Sequence, residues 1–173
     1  MKSKITLTLI LFYALSNFSC SSDDSSIPEE EKLSSFTEPF LQFCISEEEL
    51  LNNLPEADEV MVQPEALYTF YTNENGIKEV RYKIKKNQLD DQYFYRNTNV
   101  EFHPHTENFE FMMDWLTAKY GEPRFTQIES YLDTYYFNEP RGEEYDYNVV
   151  LNVSNENADS DKLFLAYLTI CEY

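Results

Sequence analysis

Apolar and polar positions change period several times along this chain, and each change marks an element. Ile5 to Leu15 is an unbroken apolar run of eleven residues behind Lys2 and Lys4. At a rise of roughly 1.5 Å per residue it covers about half of a bilayer, so it reads as a secretory signal and not as a membrane span. Phe40, Leu41, Phe43 and Ile45 then form a short apolar stretch with the character of an edge strand. Ser46 with Glu49 three residues later is a capping box, and Leu50, Leu51 and Leu54 make an apolar face before Pro55, so a short helix is expected there. Ala66 to Thr72 and Ile77 to Lys85 flank Asn73, Glu74, Asn75 and Gly76, a hairpin signal. In the second of these strands Val80, Tyr82 and Ile84 alternate with Arg81, Lys83 and Lys85, one face buried and one wet.

Tyr93 to Tyr95 and Val100 to Phe102 add a third strand. From about Glu107 to Tyr120, capped by Thr106, the residues Phe109, Met112, Met113, Leu116 and Tyr120 recur at helical spacing, and Gly121 and Pro123 end the helix. Three strands are expected after it, over Phe125 to Phe137, Glu144 to Val153 and Leu163 to Cys171. Tyr145, Tyr147, Val149, Leu151 and Val153 keep a strict period of two, whereas the last strand is apolar on both faces, which suits a central place under a helix. The order gives an α+β domain: an antiparallel sheet with two helices packed on one face, built as two units of one helix and two or three strands.

The segment Lys119-Tyr120-Gly121-Glu122-Pro123 closes the second helix. Together with the succession of elements over residues 40 to 173, it resembles the small two-repeat domains of the beta-lactamase-inhibitor-protein type. That resemblance implies a sheet surface used for binding, not for catalysis.

At the other end, Ser19 and Cys20 follow the apolar run. A cysteine after a small residue at this place resembles the bacterial lipoprotein signal, in which the cysteine is diacylated and becomes the mature N-terminus. Asn17 and Phe18 depart from that pattern, which has Leu three residues before the cysteine and a small residue next. Cys20 followed by Ser21, Ser22, Asp23 and Asp24 resembles the Bacteroidetes-type lipoproteins, whose acidic tract directs export to the cell surface. The resemblance implies Cys20 as a lipid anchor in the outer membrane or at the cell surface; an ordinary cleaved secretory peptide is the alternative. Residues 1–19 are then the signal peptide, 20–33 a Ser- and acid-rich tether, and 34–173 one domain of the usual size.

Charge narrows the partners. The chain has 13 basic and 32 acidic residues, a formal charge of −19. Such a surface repels phosphate backbones, so nucleic acid is not expected, and a partner of basic character fits better. Fourteen Tyr and thirteen Phe supply ample core, which argues against global disorder. With Cys20 acylated, Cys44 and Cys171 remain, and outside the cytoplasm they form either a disulfide or two buried thiols.

Candidate chemistry is thin. His103-Pro104-His105, with Glu101 and Glu107 nearby, is a candidate metal pair, but there is no third histidine for a three-histidine zinc site. Asn155, Asn157, Asp159 and Asp161 alternate as in the first part of a calcium loop, yet Ser160 and Ala166 stand where Gly and Glu are required. Three glycines in the whole chain leave no phosphate-binding loop. Tyr68 with Tyr71, Tyr93 with Tyr95, and Tyr131 with Tyr135 and Tyr136 serve either sheet packing or a protein- or sugar-binding face. The reading that emerges is a membrane-anchored lipoprotein bearing a non-enzymatic protein-binding module without a cofactor, with an inhibitor or immunity-like role as one version. The alternative is a glycan-binding or carbohydrate-active envelope protein.

Overall fold

A computed structural model describes residues 28–54, 59–63, 67–71, 75–86, 92–138 and 146–171. The first helix, α1, is Glu47–Asn53. Extended Ser46 turns its hydroxyl onto the Glu49 N–H at 3.2 Å, and three glutamates occupy the first turn, where carboxylates offset the helix dipole. Only Leu50 of α1 is buried. The second helix, α2, is Thr106–Tyr120. Its N-cap is His105 with no side-chain cap bond, so Thr106 is the first helical residue and not the cap that the pattern predicts. At the far end Gly121, at φ 86°, donates its N–H to Thr117 O at 2.9 Å; the left-handed backbone there suits glycine.

Eight strands follow in chain order: β1 Glu59–Gln63, β2 Leu67–Tyr71, β3 Ile77–Lys86 and β4 Tyr93–Phe102 before α2, then β5 Arg124–Glu129, β6 Leu132–Phe137, β7 Asn148–Ser154 and β8 Leu163–Leu168. They form one antiparallel sheet in the order β1-β2-β3-β4-β8-β7-β6-β5. Each helix therefore precedes a meander of four strands, one or two more than expected. The two meanders join at the centre of the sheet, where Val100 of β4 faces Leu165 of β8.

Three expectations are corrected. Phe125 to Phe137 is not one strand, because a turn at Ser130 and Tyr131 splits it into β5 and β6. Tyr93 to Phe102 is one continuous strand whose register slips opposite Lys83 and Ile84, so Tyr95 and Thr98, three apart, both point inward. Phe40 to Ile45 is not an edge strand but the end of an extended strap. It touches the sheet through the Ser46–Phe94 bridge, the Cys44 N–H on Tyr95 O and the Tyr95 N–H on Ile45 O.

The strap belongs to the domain. Leu33 and Phe36 are buried with Met112 and Leu116 of α2 against Val100, Phe102, Val149, Leu151, Leu163, Leu165 and Tyr167. A boundary between 33 and 34 thus falls inside packed structure. Leu50 of α1 packs with Ile45, Tyr82, Ile84 and Tyr95. Each such buried side chain contributes about 1.5 to 3 kcal/mol. Cys44 and Cys171 are joined in a disulfide with Cα atoms 5.4 Å apart, which ties the strap to the chain just beyond β8. Among the described residues no helix is long and apolar enough to cross a membrane.

Candidate functional site

Strand alternation divides the sheet side chains between two faces. One face carries the cores just described, along rows such as Val80, Val100, Leu165, Leu151 and Tyr135. The other face carries the intervening residues. Across its middle runs the row Arg81, Asn99, Ala166, Val150, Tyr136, Arg124, one residue from each of six adjacent strands. Beside it, toward one end, lie Lys83, Asn97, Leu168 and Asn148. On the other side lie Glu79, Glu101, Phe164, Asn152 and Thr134.

Small side chains form the floor of this face. Ala166, Val150, Asn152 and Thr134 are buried, and the Thr134 hydroxyl donates to Asn152 Oδ1 at 2.9 Å. Taller, exposed side chains form its rim, with Lys83 and Lys85 on one side and Arg124 on the other. The Arg124 guanidinium stands 5.1 Å over the Tyr136 ring, a cation–π contact that holds both. The result is a trough with an apolar centre and a polar, aromatic and cationic margin.

A hollow of about 210 Å³ opens on this face, lined by Glu79, Arg81, Asn99, Glu101, Lys162 and Phe164. Its two carboxylates are engaged by cations. Glu79, only 6% exposed, is ion-paired with Arg81, and Glu101 accepts from Lys78 Nζ at 2.7 Å with Arg81 at 3.9 Å.

The histidine pair lies elsewhere. Glu31 Oε2, from the strap, is 3.1 Å from His105 Nε2 and 3.9 Å from His103 Nδ1. Glu101 and Glu107, the carboxylates expected beside the histidines, instead pair with Lys78 and Lys32. Among the described residues no group of three or more His, Cys, Asp or Glu is placed to hold a metal ion. The loop with the calcium-like alternation uses its amides internally: Asn155 Nδ2 donates to Asp133 at 3.0 Å, its Oδ1 accepts the Asn157 N–H, and Asn157 Nδ2 reaches Ser130 O.

Two strap anchors escaped the sequence reading. Asn108, fully buried, accepts the Leu33 N–H at 2.8 Å and donates to Glu31 O at 2.8 Å and His103 O at 2.9 Å. Its signal was spacing: 108, 112 and 116 form one stripe, so an amide on it had to be buried and satisfied. Glu38 is the second, receiving Lys119 Nζ, Tyr120 OH and Tyr167 OH. Burial, and then the adjacent Glu38, push the Tyr120 and Tyr167 phenols far above their ordinary pKa.

The tyrosine clusters divide between core and surface. Tyr95 is in the core, bonded to Phe40 O at 2.8 Å and to Thr98, while Tyr93 and Tyr131 are exposed and Tyr135 and Tyr136 half-buried on opposite faces. Tyr68 and Tyr71 lie at paired positions of β2. Cys20 and the Ser21, Ser22, Asp23 and Asp24 tract fall outside the described residues. No family model, curated protein or solved structure matches this chain.

Proposed function

We propose that this chain is a lipid-anchored envelope protein whose α+β domain is a non-enzymatic protein-binding module. Cys20 is its anchor, the Ser21 to Asp24 tract its export signal, and the outer membrane or cell surface its location. Both helices cover one side of the sheet, and the opposite side is the binding face. The observation that carries this reading is the make-up of that face: partly exposed Phe164, Leu168 and Tyr136 over a closed floor of Ala166 and Val150, inside a margin of Arg, Lys and Asn. Protein interfaces have this anatomy, with an apolar core, a polar rim and enrichment in Tyr and Arg. The Cys44–Cys171 disulfide supports an exported protein, since such bonds persist in oxidising compartments.

A pull-down from envelope extract tests it, with the Cys20→Ala chain as bait and mass spectrometry as readout. One protein enriched by the bait, and lost when Tyr136→Ala is used instead, is the expected result. A protein retained equally by both baits would move the site off this face, and no enriched protein would remove the binding role. The amides of Asn97, Asn99 and Asn148, on the same face of the sheet as the Tyr136 ring, favour a second reading, a glycan ligand, because sugars are held by amide hydrogen bonds and ring faces. Binding of the same bait on a glycan array that Tyr136→Ala abolishes would establish that reading instead.

A further inference from the structure

The chain-wide charge of −19 points to a basic partner, but charge is not spread evenly. Five of the 13 basic residues, Lys78, Arg81, Lys83, Lys85 and Lys86, fall within the ten residues of β3. Of these, Lys83 and Lys85 are exposed and alternate with buried Tyr82 and Ile84, so they stand on the trough side of the sheet. They are two residues apart on one strand, about 7 Å along it.

The two rows that contain or adjoin them hold no acidic residue. These are the row from Arg81 to Arg124 and the row from Lys83 to Asn148. Glu79 and Glu101 belong to the next row, where Arg81 and Lys78 already pair with them, and Glu129 sits at the β5 edge beyond. By contrast the helices expose Glu48, Glu49, Glu110 and Asp114. Among the described residues the two rows therefore form a cationic strip free of acids, while both helices present acids to solvent.

We propose that this strip is the recognition surface for an acidic polypeptide segment of the partner protein. This deepens the binding role proposed above and rests on it. Arg81 and Arg124 lie five strand spacings apart, about 24 Å, which an extended segment of roughly seven residues spans. Carboxylates of such a segment meet Lys83 and Lys85 at one margin and the Arg124 guanidinium on Tyr136 at the other, while its apolar side chains settle on Phe164 and Leu168, partly exposed to either side of Ala166. The apolar floor is what selects a polypeptide over a purely charged polymer. The net negative charge of the whole molecule repels acidic chains that miss the strip, so the field also orients the encounter.

The test uses the full chain carrying Cys20→Ala, with poly-L-glutamate as probe, titrated between roughly 0.02 and 0.2 M salt. Binding that weakens with salt is expected, and Lys83→Glu with Lys85→Glu should weaken it about tenfold or more. Arg124→Glu is the independent variant on the other margin, with the same expected direction. Glu110→Lys with Asp114→Lys, on α2, should leave binding within about twofold. Absence of poly-L-glutamate binding, or equal binding by both charge-reversed variants, overturns the proposal. So does binding of alginate or of phosphatidylglycerol vesicles without poly-L-glutamate, which would assign the strip to an acidic glycan or a membrane. A pull-down partner still held by the Lys83→Glu, Lys85→Glu bait sinks the acidic-segment assignment while leaving the binding module intact.

Discussion

Replacing Asn108 with Ala should release the N-terminal strap and cost the domain much of its stability. The wild-type side chain makes three hydrogen bonds, to the Leu33 N–H and to the carbonyls of Glu31 and His103, all within 2.9 Å. Each contributes about 1 kcal/mol net, so their loss removes about 3 kcal/mol. Leu33 and its N–H lie under α2, and a buried donor left without an acceptor adds about 1 to 3 kcal/mol. A loss of about 4 to 6 kcal/mol follows, a large share of the roughly 5 to 15 kcal/mol typical of a domain. Urea titration of the Cys20→Ala chain with and without Asn108→Ala measures it, with a Tm drop of roughly 10 to 15 °C as the thermal counterpart. Asn108→Asp is the sharper variant. It can still accept from Leu33 but sets a carboxylate against two carbonyl oxygens, so it should fall at least as far as Ala. Amide exchange at Leu33 should accelerate in both. A loss under about 1 kcal/mol, with the Leu33 amide still protected, would refute the assignment of Asn108 as the strap's anchor.

Reduction of Cys44–Cys171, or its replacement by two alanines, opens a loop of sequence separation 127. Chain entropy puts the loss near 5 kcal/mol, measurable as a fall in the urea midpoint, and an unchanged midpoint would show that the bond constrains nothing. Tyr82, Tyr95 and Tyr167 are fully buried; burial pushes Tyr82 up to about 12 and raises the other two well above their ordinary value. Raised folded pKa values stabilise below the unfolded value of about 10, and this advantage is lost as pH rises through the folded values. Stability should therefore fall above pH 10, with a slope approaching 4 kcal/mol per pH unit, and phenolate absorbance from these rings should appear only on unfolding. Early, reversible ionisation of all the tyrosines would contradict the packing. Cys20→Ala should move the protein from membrane to soluble fractions without changing its unfolding midpoint, whereas a mutant that stays in membranes would end the lipid-anchor reading. Asp23→Ala with Asp24→Ala should remove protease accessibility on intact cells, and unchanged accessibility would count against the export tract.

Elements with complete local signals were legible. Ser46 with Glu49, the Asn75-Gly76 turn, and Gly121 after a fifteen-residue amphipathic stretch each combine a period with a stop, and each element lies where those signals put it. Failures came where one part was missing. β5 and β6 merged because Glu129-Ser130-Tyr131 turns without glycine, proline or asparagine. β1 is five residues long and was lost between prolines at 55 and 64. β4 was split because a register slip breaks its period of two. The trough was half legible: the wet positions Arg81, Lys83 and Lys85 were read from alternation, but only the register across β4, β8, β7, β6 and β5 brings Tyr136 and Arg124 into line with Arg81. Net charge was silent on this arrangement for the same reason, since a sum over the chain carries no information about which side of a sheet each charge occupies.

The disulfide also settles how the domain bears load. A tension applied ahead of Pro28 must first unseat Asn108 and Glu38, and it can then strip the strap residue by residue, paying out about 16 residues or some 50 Å of slack. At Cys44 the stripping stops, because the next link is covalent and leads through Cys171 to β8. That strand is flanked by β4 and β7, so the force arrives at the interior of the sheet, where two ladders share it, and not at an edge that could unzip. For a domain held to a cell by its N-terminal end, such an arrangement acts as a short extensible leash with a hard stop: shear draws out the strap while the trough keeps its shape.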